Sequence, residues 1–441
     1  MMDRTAAQRI LEQVMTHSES DETEAALSSC DSALTRFAES VIHQNVAEHD
    51  VGLTVRAIVG QRIGAASTNR LDEESLRRVV RDAAEIARFA PEDAALLPRI
   101  GPQRYQEANA YDTGTDPASY GPEARASAVS DAIGQAGKNG LTAAGAFSNE
   151  AKSIAVANSK GAFAYHCGTS ANFSMTAMAA DSSGWAEGEA RALSEIDPGR
   201  VGQIAIEKAL ASQKPRAIEP GTYPVILEPA AVEGIVGWMM LSFNALEVAE
   251  GRSFLTGRVG TQIAGESITL SSDPYHPLHR GAPFDGEGMP KRRLTLIEQG
   301  IAKDLACDRV TAKKSGVAAT GHSAGGRSAN GAWPSHLVLE GGDATVEEMI
   351  RSTKRGILVT RFWYENILDR MKLIITGMTR DGLFWIEDGK VQYPIQNFRF
   401  NQSVPEFLNC VEMMSSPVLV AGMAAPAMKV RRFHFTSGTA F

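Results

Sequence analysis

The sequence predicts an α+β protein: a helix-and-antiparallel-sheet domain over residues 1–215, then a β-rich domain over residues 222–441. Three observations predict it. Apolar residues at helical spacing concentrate in the first half. Short strand-like runs punctuated by Gly, Asn and Asp recur along the chain and dominate the second half. Between the halves, Gln213 to Pro224 gathers Pro215, Pro220, Gly221 and Pro224, a linker composition. No short-period repeat is visible, which excludes a solenoid or propeller.

Taken in order, Thr5 to His17 carries Ile10, Leu11, Val14 and Met15 at helical spacing, and the polar run Ser18 to Glu24 reads as a solvated loop. Strands are expected between Ala33 and Ala66, with Gly52, Gly60 and Gly64 as punctuation. Asp72 to Ala90 reads as a helix: Asp72 suits the N-cap, Leu76, Val79, Val80, Ala83, Ile86 and Ala87 share a face, and Pro91 stops it. Residues 91–120 read as loop and Pro122 to Lys138 as helix. An antiparallel meander follows to about Ala192, with turns expected at Asn149-Glu150 and at Asp181–Gly184. Asp197 caps a further helix running to about Ser212.

After the linker, a strand at Tyr223–Leu227 leads into a helix expected from Pro229 to about Glu250. Strands are expected at Ser267–Leu270, Leu294–Glu298, His336–Leu339, Gly356–Thr360, Leu373–Thr376, Gly382–Glu387 and Met428–Phe435. Glu387-Asp-Gly-Lys390 is a hairpin turn.

A net charge of −8 argues against a protein that coats nucleic-acid phosphates. The four cysteines, Cys30, Cys167, Cys307 and Cys410, form no C-x-x-C pair and read as reduced, mostly buried thiols. No run approaches the ~18 apolar residues of a membrane span. Met1-Met2-Asp3-Arg4 leads into a mixed polar helix, not an apolar signal core, so the expected compartment is the cytoplasm.

Several C-terminal stretches carry a resemblance. They are Val225-Ile-Leu-Glu-Pro229, Gly251-Arg-Ser-Phe-Leu255, Phe284-Asp-Gly-Glu-Gly288 with Arg292 and Arg293, Ala319-Thr-Gly-His322, Gly356-Ile-Leu-Val-Thr360, and Asp381 to Lys390 with Tyr393-Pro394. Gly52-Leu-Thr-Val-Arg56 and the helix after Asn69-Arg70 add a looser N-terminal match. In this order they resemble the TldD/TldE (PmbA) family, once called modulators of DNA gyrase, over most of residues 30–435.

The resemblance implies a cytoplasmic peptidase of two related subunits enclosing a cavity in which unfolded peptide is cut. The TldD-type subunit carries zinc through His-Glu-x-x-x-His on the first helix of the C-terminal domain and a later Cys; the TldE-type subunit lacks these ligands. Counting from Pro229, the two His positions fall on Gly237 and Ser242 and the Glu position on Trp238. A hydrolytic zinc site needs about three protein ligands and a base for the water, and these side chains supply neither. Pro229 to Glu250 holds no histidine, and its Glu233, Glu247 and Glu250 read as surface carboxylates. Nothing after Cys410 is a cysteine, and Cys410 itself reads as a small buried side chain in a helical stretch.

The expected assignment is therefore a TldE/PmbA-type subunit with no catalytic or metal residues and no cofactor of its own. Zinc is expected in a TldD-type partner, and the other partner is unfolded peptide. Homodimers are the alternative to that heterodimer, and no nucleic acid or membrane is expected. Candidate substrate-binding residues are Arg252, Asp285, Glu287, His322 and Arg361. A rival reading is a metal-free homodimeric peptide- or protein-binding module without hydrolysis.

A third reading is a relocated site around His276, His279 or His322. Pro274 and Pro277 break any helix at His276-Pro-Leu-His279, so the ordinary reading is loop histidines; a loop chelate with Asp273 or Asp285 is the alternative. Adjacent His166 and Cys167 sit in a strand and point to opposite faces. Gly321-His-Ser-Ala-Gly-Gly326 is neither a nucleophile elbow nor a P-loop, because Ser328 to Pro334 continues as loop and no Gly-Lys-Ser/Thr ending is present. It reads as a cavity-lining loop. Arg361-Phe-Trp-Tyr364 reads as a core edge or an interface, and Lys291-Arg-Arg293 as solvated loop.

Overall fold

The computed structural model describes residues 1–108, 110–325 and 331–439. Its first half is one antiparallel six-stranded sheet: β1 (Glu22–Ala38), β2 (Val41–Val59), β3 (Arg62–Thr68), β4 (Thr142–Asn158), β5 (Phe163–Met178) and β6 (Ser183–Ala190), ordered β3-β2-β1-β4-β5-β6. Four helices cover it: α1 (Arg4–His17), α2 (Glu73–Phe89), α3 (Pro122–Lys138) and α4 (Pro198–Ala211). Each starts as its sequence dictates. Asp3, Asp72 and Asp197 accept the first free amides of α1, α2 and α4, and Pro122 opens α3.

Two apolar clusters hold this half. One joins Leu11 and Val14 of α1 and Leu76, Val79 and Ala83 of α2 to Leu53 and Val55. The other joins Val129 and Ala132 of α3 and Ala205 and Ala209 of α4 to Phe147, Phe173 and Met175. The two edge strands each carry a glycine beneath a helix. A Cβ at Gly64 would lie 2.3 Å from the Ala83 carbonyl of α2, and one at Gly184 would lie 2.3 Å from the Ala205 carbonyl of α4. Only a residue without a side chain lets helix backbone rest on strand backbone at these points.

The second half holds β7 (Thr222–Leu227), β8 (Leu270–Ser272), β9 (Leu294–Glu298), β10 (Ile301–Ala302), β11 (Leu337–Leu339), β12 (Arg355–Asp369), β13 (Ile374–Glu387), β14 (Lys390–Pro394), β15 (Phe398–Ser403), β16 (Val411–Met414), β17 (Val418–Val420), β18 (Met423–Ala425) and β19 (Met428–Gly438). One sheet runs β10-β9-β8-β11-β18-β17 and the other β12-β7-β19-β15-β13-β14. Because β12 also pairs with β13, the second sheet closes on itself. Phe362, Phe398, Phe400, Phe433 and Phe435 fill its interior. Short helices join these strands: α5 (Pro229–Val236), α6 (Ala245–Ala249), α7 (Arg309–Ser315), α8 (Val346–Arg351) and α9 (Val404–Leu408).

Five expectations change. The helix expected from Pro229 to Glu250 is broken: α5 tightens into a 3-10 segment at Gly237–Ser242, and Asn244 then caps α6 by accepting from the Leu246 amide. Asn149-Glu150 is not a turn but the middle of β4. Asn149 is buried there, donating to the Thr115 carbonyl and accepting from Arg125, which satisfies a side chain that otherwise favours turns. Ile374–Thr376 and Gly382–Glu387, expected as separate strands, belong to one strand, β13, kinked where Asp381 (φ 58) and Gly382 (φ 128) form a bulge opposite Thr360, between the pairs Val359–Leu383 and Arg361–Arg380. Strand begins at Glu22 within the expected loop Ser18 to Glu24, and β8 begins at Leu270 where Ser267–Leu270 was expected. The loop expected at Ser328 to Pro334 lies outside the described residues as far as Asn330.

The two halves meet through named contacts. Ser183 of β6 donates to Asp381 of β13 at 2.6 Å, Lys208 pairs with Glu228 at 2.5 Å, the Gly422 amide donates to Glu189 at 3.0 Å, and Tyr105 donates to the Gly288 carbonyl at 2.8 Å. Among the described residues no helix is long and apolar enough to cross a membrane.

Candidate functional site

A cavity of about 580 Å³ opens beside the α5/3-10 segment. Pro229 starts α5, whose Ala231, Val232, Ile235 and Val236 are buried in the core. The opposite face turns Glu233, Gly234, Gly237 and Trp238 toward the cavity. Trp333 to Leu337, Glu365 of β12 and Ala421 to Met423 complete the wall. It is mostly apolar with a few polar groups, the usual composition of a binding site.

Glu233 and Glu365 are the acidic groups of that wall. Burial pushes Glu233 up to about 7, and the nearby carboxylates Glu365, Glu187 and Glu189 push it the same way. Burial also raises Glu365, against the pull of Arg361. Two glycines make room for them: a Cβ at Gly234 would lie 2.7 Å from Oε1 of Glu365, and one at Gly237 would lie 2.9 Å from Oε1 of Glu233. Glu233 is thus a cavity residue, contrary to its reading as a surface carboxylate. Glu247 is also buried, paired with Arg252 and Arg370; Glu250 is exposed.

One of the two positions that the resemblance assigns to zinc-binding histidines, Gly237, and the Glu position, Trp238, lie on the cavity wall. Gly237 and Trp238 face the cavity, whereas Ser242 is buried and its carbonyl accepts from Ser253. Among the described residues no three His, Cys, Asp or Glu side chains stand together as a set able to hold a metal ion. Gly237, Trp238 and Ser242 do not supply the ligands and base that a hydrolytic zinc needs.

The sequence-predicted candidates fall in three places. Asp285 and His322 come together. Asp285 accepts from the amides of Glu287 (3.0 Å), Met289 (2.9 Å) and Ser323 (3.0 Å), tying two loops. Burial nevertheless raises its carboxyl, because desolvation outweighs those three amides. His322 is buried beside the second loop: its Nδ1 donates to the Thr320 carbonyl and its Nε2 meets Ser272 at 3.1 Å. Burial holds it down to about 4, so the ring is neutral at physiological pH. Glu287 is buried too, pushed up to about 7 by desolvation and by Asp285, and among the described residues its Oε2 has no hydrogen-bond partner.

Arg361 sits where the halves meet. Its Nε donates to Asp381 at 2.7 Å and its guanidinium lies over Trp185 and Trp363. Arg252 is apart from both groups, bound to Glu247 and Glu250 beside α6. His276, His279 and His336 have neighbouring rings, with centroids 6.2 and 5.3 Å apart in sequence order, and Nε2 of His279 donates to the Leu337 carbonyl. Of the basic run, Arg292 and Arg293 are exposed, but Lys291 is not. Burial lowers Lys291 to about 8, and its Nζ reaches Ser335 at 3.4 Å. Glu233, Glu365, Lys291, Trp333 and Ser335 were missed as candidates; Gly234 and Gly237 beside Glu233 were the one local sign that something large approaches that helix face.

Sequence models of the PmbA/TldA metallopeptidase domains match this chain in three parts: domain 1 at residues 23–87, the central domain at 115–213 and the C-terminal domain at 220–437. The Escherichia coli O157:H7 metalloprotease PmbA is 26% identical over 393 residues, covering 85% of this chain and 83% of that protein. A metalloprotease TldD homolog of Buchnera aphidicola subsp. Acyrthosiphon pisum is 23% identical over 403 residues, covering 85% and 81%. The solved structure of TldE from Thermococcus kodakarensis superposes with a TM-score of 0.87 at 22% identity, covering 98% of this chain and 99% of that one. At that identity the likeness establishes the fold.

Proposed function

The chain belongs to the PmbA/TldA metallopeptidase family, and we propose that within it this is a metal-free TldE-type subunit, whose cavity holds unfolded peptide while a TldD-type partner supplies zinc. The observation that carries the reading is the cavity wall at Gly237 and Trp238. The side chains there have no metal-binding atoms, and the third position, Ser242, is turned into the core.

The same wall suits a peptide. Trp238, Trp333, Met240, Leu241 and Leu337 offer apolar surface for side chains. Strand edges beside the cavity offer backbone groups, the usual partners of an extended peptide. Glu233 and Glu365 can accept hydrogen bonds from the peptide amides. Because burial holds Glu233 near the point of half-protonation at neutral pH, it can also donate.

The test is metal content per chain on protein purified without chelator or a histidine tag, with peptidase assays before and after a zinc-bearing partner is added. Near-zero zinc, and chelator-sensitive cleavage only with the partner, is the expected result. Close to one zinc per chain, or chelator-sensitive cleavage by the isolated chain, would overturn the reading.

A further inference from the structure

Ser335 lies on the cavity wall between two nitrogen bases. Nζ of Lys291 is 3.4 Å from its Oγ, and Nδ1 of His336 is 3.0 Å from the same atom. The local backbone is unusual: His336 takes the left-handed conformation (φ 59), directly after Pro334-Ser335. Such strain in a non-glycine residue persists only where the surroundings over-determine it. Here Gly281 makes room, since a Cβ at that position would lie 2.1 Å from Nε2 of His336. The Ser272 hydroxyl, between Nε2 of His322 and the Ser335 carbonyl, holds the serine backbone from the other side.

We propose that Ser335 is a nucleophile with Lys291 as its general base, forming a metal-independent acyl-transfer centre that opens on the cavity and acts on an ester or peptide carbonyl. Serine–lysine pairs do this chemistry when the amine is desolvated enough to be neutral near the working pH. Lys291 meets that condition: burial lowers it to about 8, with Asp285 pulling the other way. The amine takes the hydroxyl proton as Oγ bonds to the acyl carbon. The bond from that carbon to the leaving group then breaks, and the leaving group takes the proton from the ammonium. Water, losing its proton to the same amine, attacks the acyl-serine ester; the bond from the acyl carbon to Oγ breaks, Oγ takes the proton from the ammonium, and the acid leaves. No oxidant, reductant or metal enters the balance.

The histidines near Lys291 do not mimic its titration, whereas Glu233 on the same cavity wall and Glu287 beside Asp285 are both pushed up to about 7 and are told apart from it by K291M. His166 and His322, held down to about 4, and His336, held down to about 2, stay neutral above pH 6. Tyr275, whose hydroxyl donates to the Lys291 carbonyl, is raised by burial. Asp285 is raised by burial and bound to three amides, and Arg191 and Arg292 contribute positive charge around the histidines.

The centre needs neither zinc nor a partner, so its failure and the failure of the subunit reading are separate results. The experiment treats the full chain, in chelator, with a fluorophosphonate probe and with p-nitrophenyl acetate between pH 6 and 9.5, and maps the adduct by tandem mass spectrometry. The expected adduct is on Ser335. Its rate rises about tenfold per pH unit and levels off near pH 8, as one base titrates. S335A loses the adduct, and K291M slows it on the order of 100-fold and removes the pH dependence. An adduct on another residue, no adduct at pH 9.5, or a K291M rate and pH profile like the parent's would overturn the proposal. Mapping on the unaltered chain decides the site even if a variant misfolds.

Discussion

Arg361 of β12 lies over the indole of Trp185 on β6, its guanidinium carbon 4.5 Å from the ring centroid. The same guanidinium pairs with Asp381, which is almost wholly buried and also accepts from Ser183. One side chain therefore couples the N-terminal sheet to the closed C-terminal sheet by charge and by stacking. R361A leaves Asp381 buried without its main counter-ion and is expected to cost roughly 3 kcal/mol. R361K keeps a charge but loses the flat stacking surface and falls between the two. Urea denaturation checks both; an R361A within 0.5 kcal/mol of the parent (about the scatter of neutral surface changes) would mean the junction is held by other contacts.

The carboxyl of Glu287 makes stability pH-dependent with a definite sign. Its folded-state value is raised from 4.5 to about 7, so the native state holds the proton more tightly than the unfolded chain. That contribution is present at low pH and is lost as pH rises from 4.5 through 7. E287Q removes the loss. Its stability relative to the parent is expected to grow between pH 5 and pH 8, reaching roughly 1 to 3 kcal/mol. Denaturant midpoints at the two pH values measure it; a gap that stays constant would remove Glu287 as the titrating group.

The histidines act in the opposite direction. His279 and His322 are held down to about 4 by burial, so they stay neutral in the native state while the unfolded chain takes up protons. Their contribution is intact above about 6.5 and is lost as pH falls toward 4. H322N is expected to flatten the acid limb of the stability curve, seen as a smaller drop in denaturant midpoint between pH 6.5 and 4.5. An unchanged drop would show that the imidazole is not what resists acid.

Helix α2 rests on Gly64 at backbone contact distance. G64A forces the helix off the sheet and is expected to destabilise by about 1 to 3 kcal/mol, the usual range for overpacking. Because Gly64 is on the far edge strand β3, the cavity should keep its properties. A lowered melting temperature with unchanged fluorophosphonate labelling is the expected pattern; a fall in labelling would show the two regions to be coupled.

On the proposed subunit reading, side-chain replacement alone is not expected to build a zinc site on the segment after α5. In G237H/W238E/S242H the last histidine starts from a buried position on a 3-10 segment. The triple variant is therefore expected to bind zinc no more tightly than the parent in equilibrium dialysis. Stoichiometric zinc would mean the segment rearranges readily enough to turn residue 242 toward the cavity.

Much of the fold was legible. Asp72 and Pro91 bracket α2, Pro122 marks the start of α3, Asp197 caps α4, and Asp388 and Gly389 adopt the positive φ values that the two-residue hairpin demands. These are local signals, decided within a few residues of the chain. The failures came where distant groups decide. Asn149 is a turn-former by habit, but Arg125 and the Thr115 carbonyl bind it inside a strand. Gly234 and Gly237 weaken the helix after Pro229, and Asn244 restarts it.

The candidate site was less legible for the same reason. Glu233 looked like a surface charge because Gly234 and Gly237 beside it hint at a close approach without revealing that the group that approaches is Glu365. Lys291 looked solvated because Arg292 and Arg293 beside it are. Its distinguishing contact, Ser335, is 44 residues away. Arg361 was named for its aromatic neighbours, and those neighbours include Trp185, a residue of the other half of the chain.

Asp285 takes its three hydrogen bonds from two separate loops: the amides of Glu287 and Met289 in its own, and that of Ser323 in the other. Neither loop can swing away without stripping the carboxylate of part of its cradle, so opening is shared. In deuterium exchange, these three amides should lose protection together, as one kinetic unit. Access to the interior at this corner is then governed by a single concerted event, and not by two loops that breathe independently.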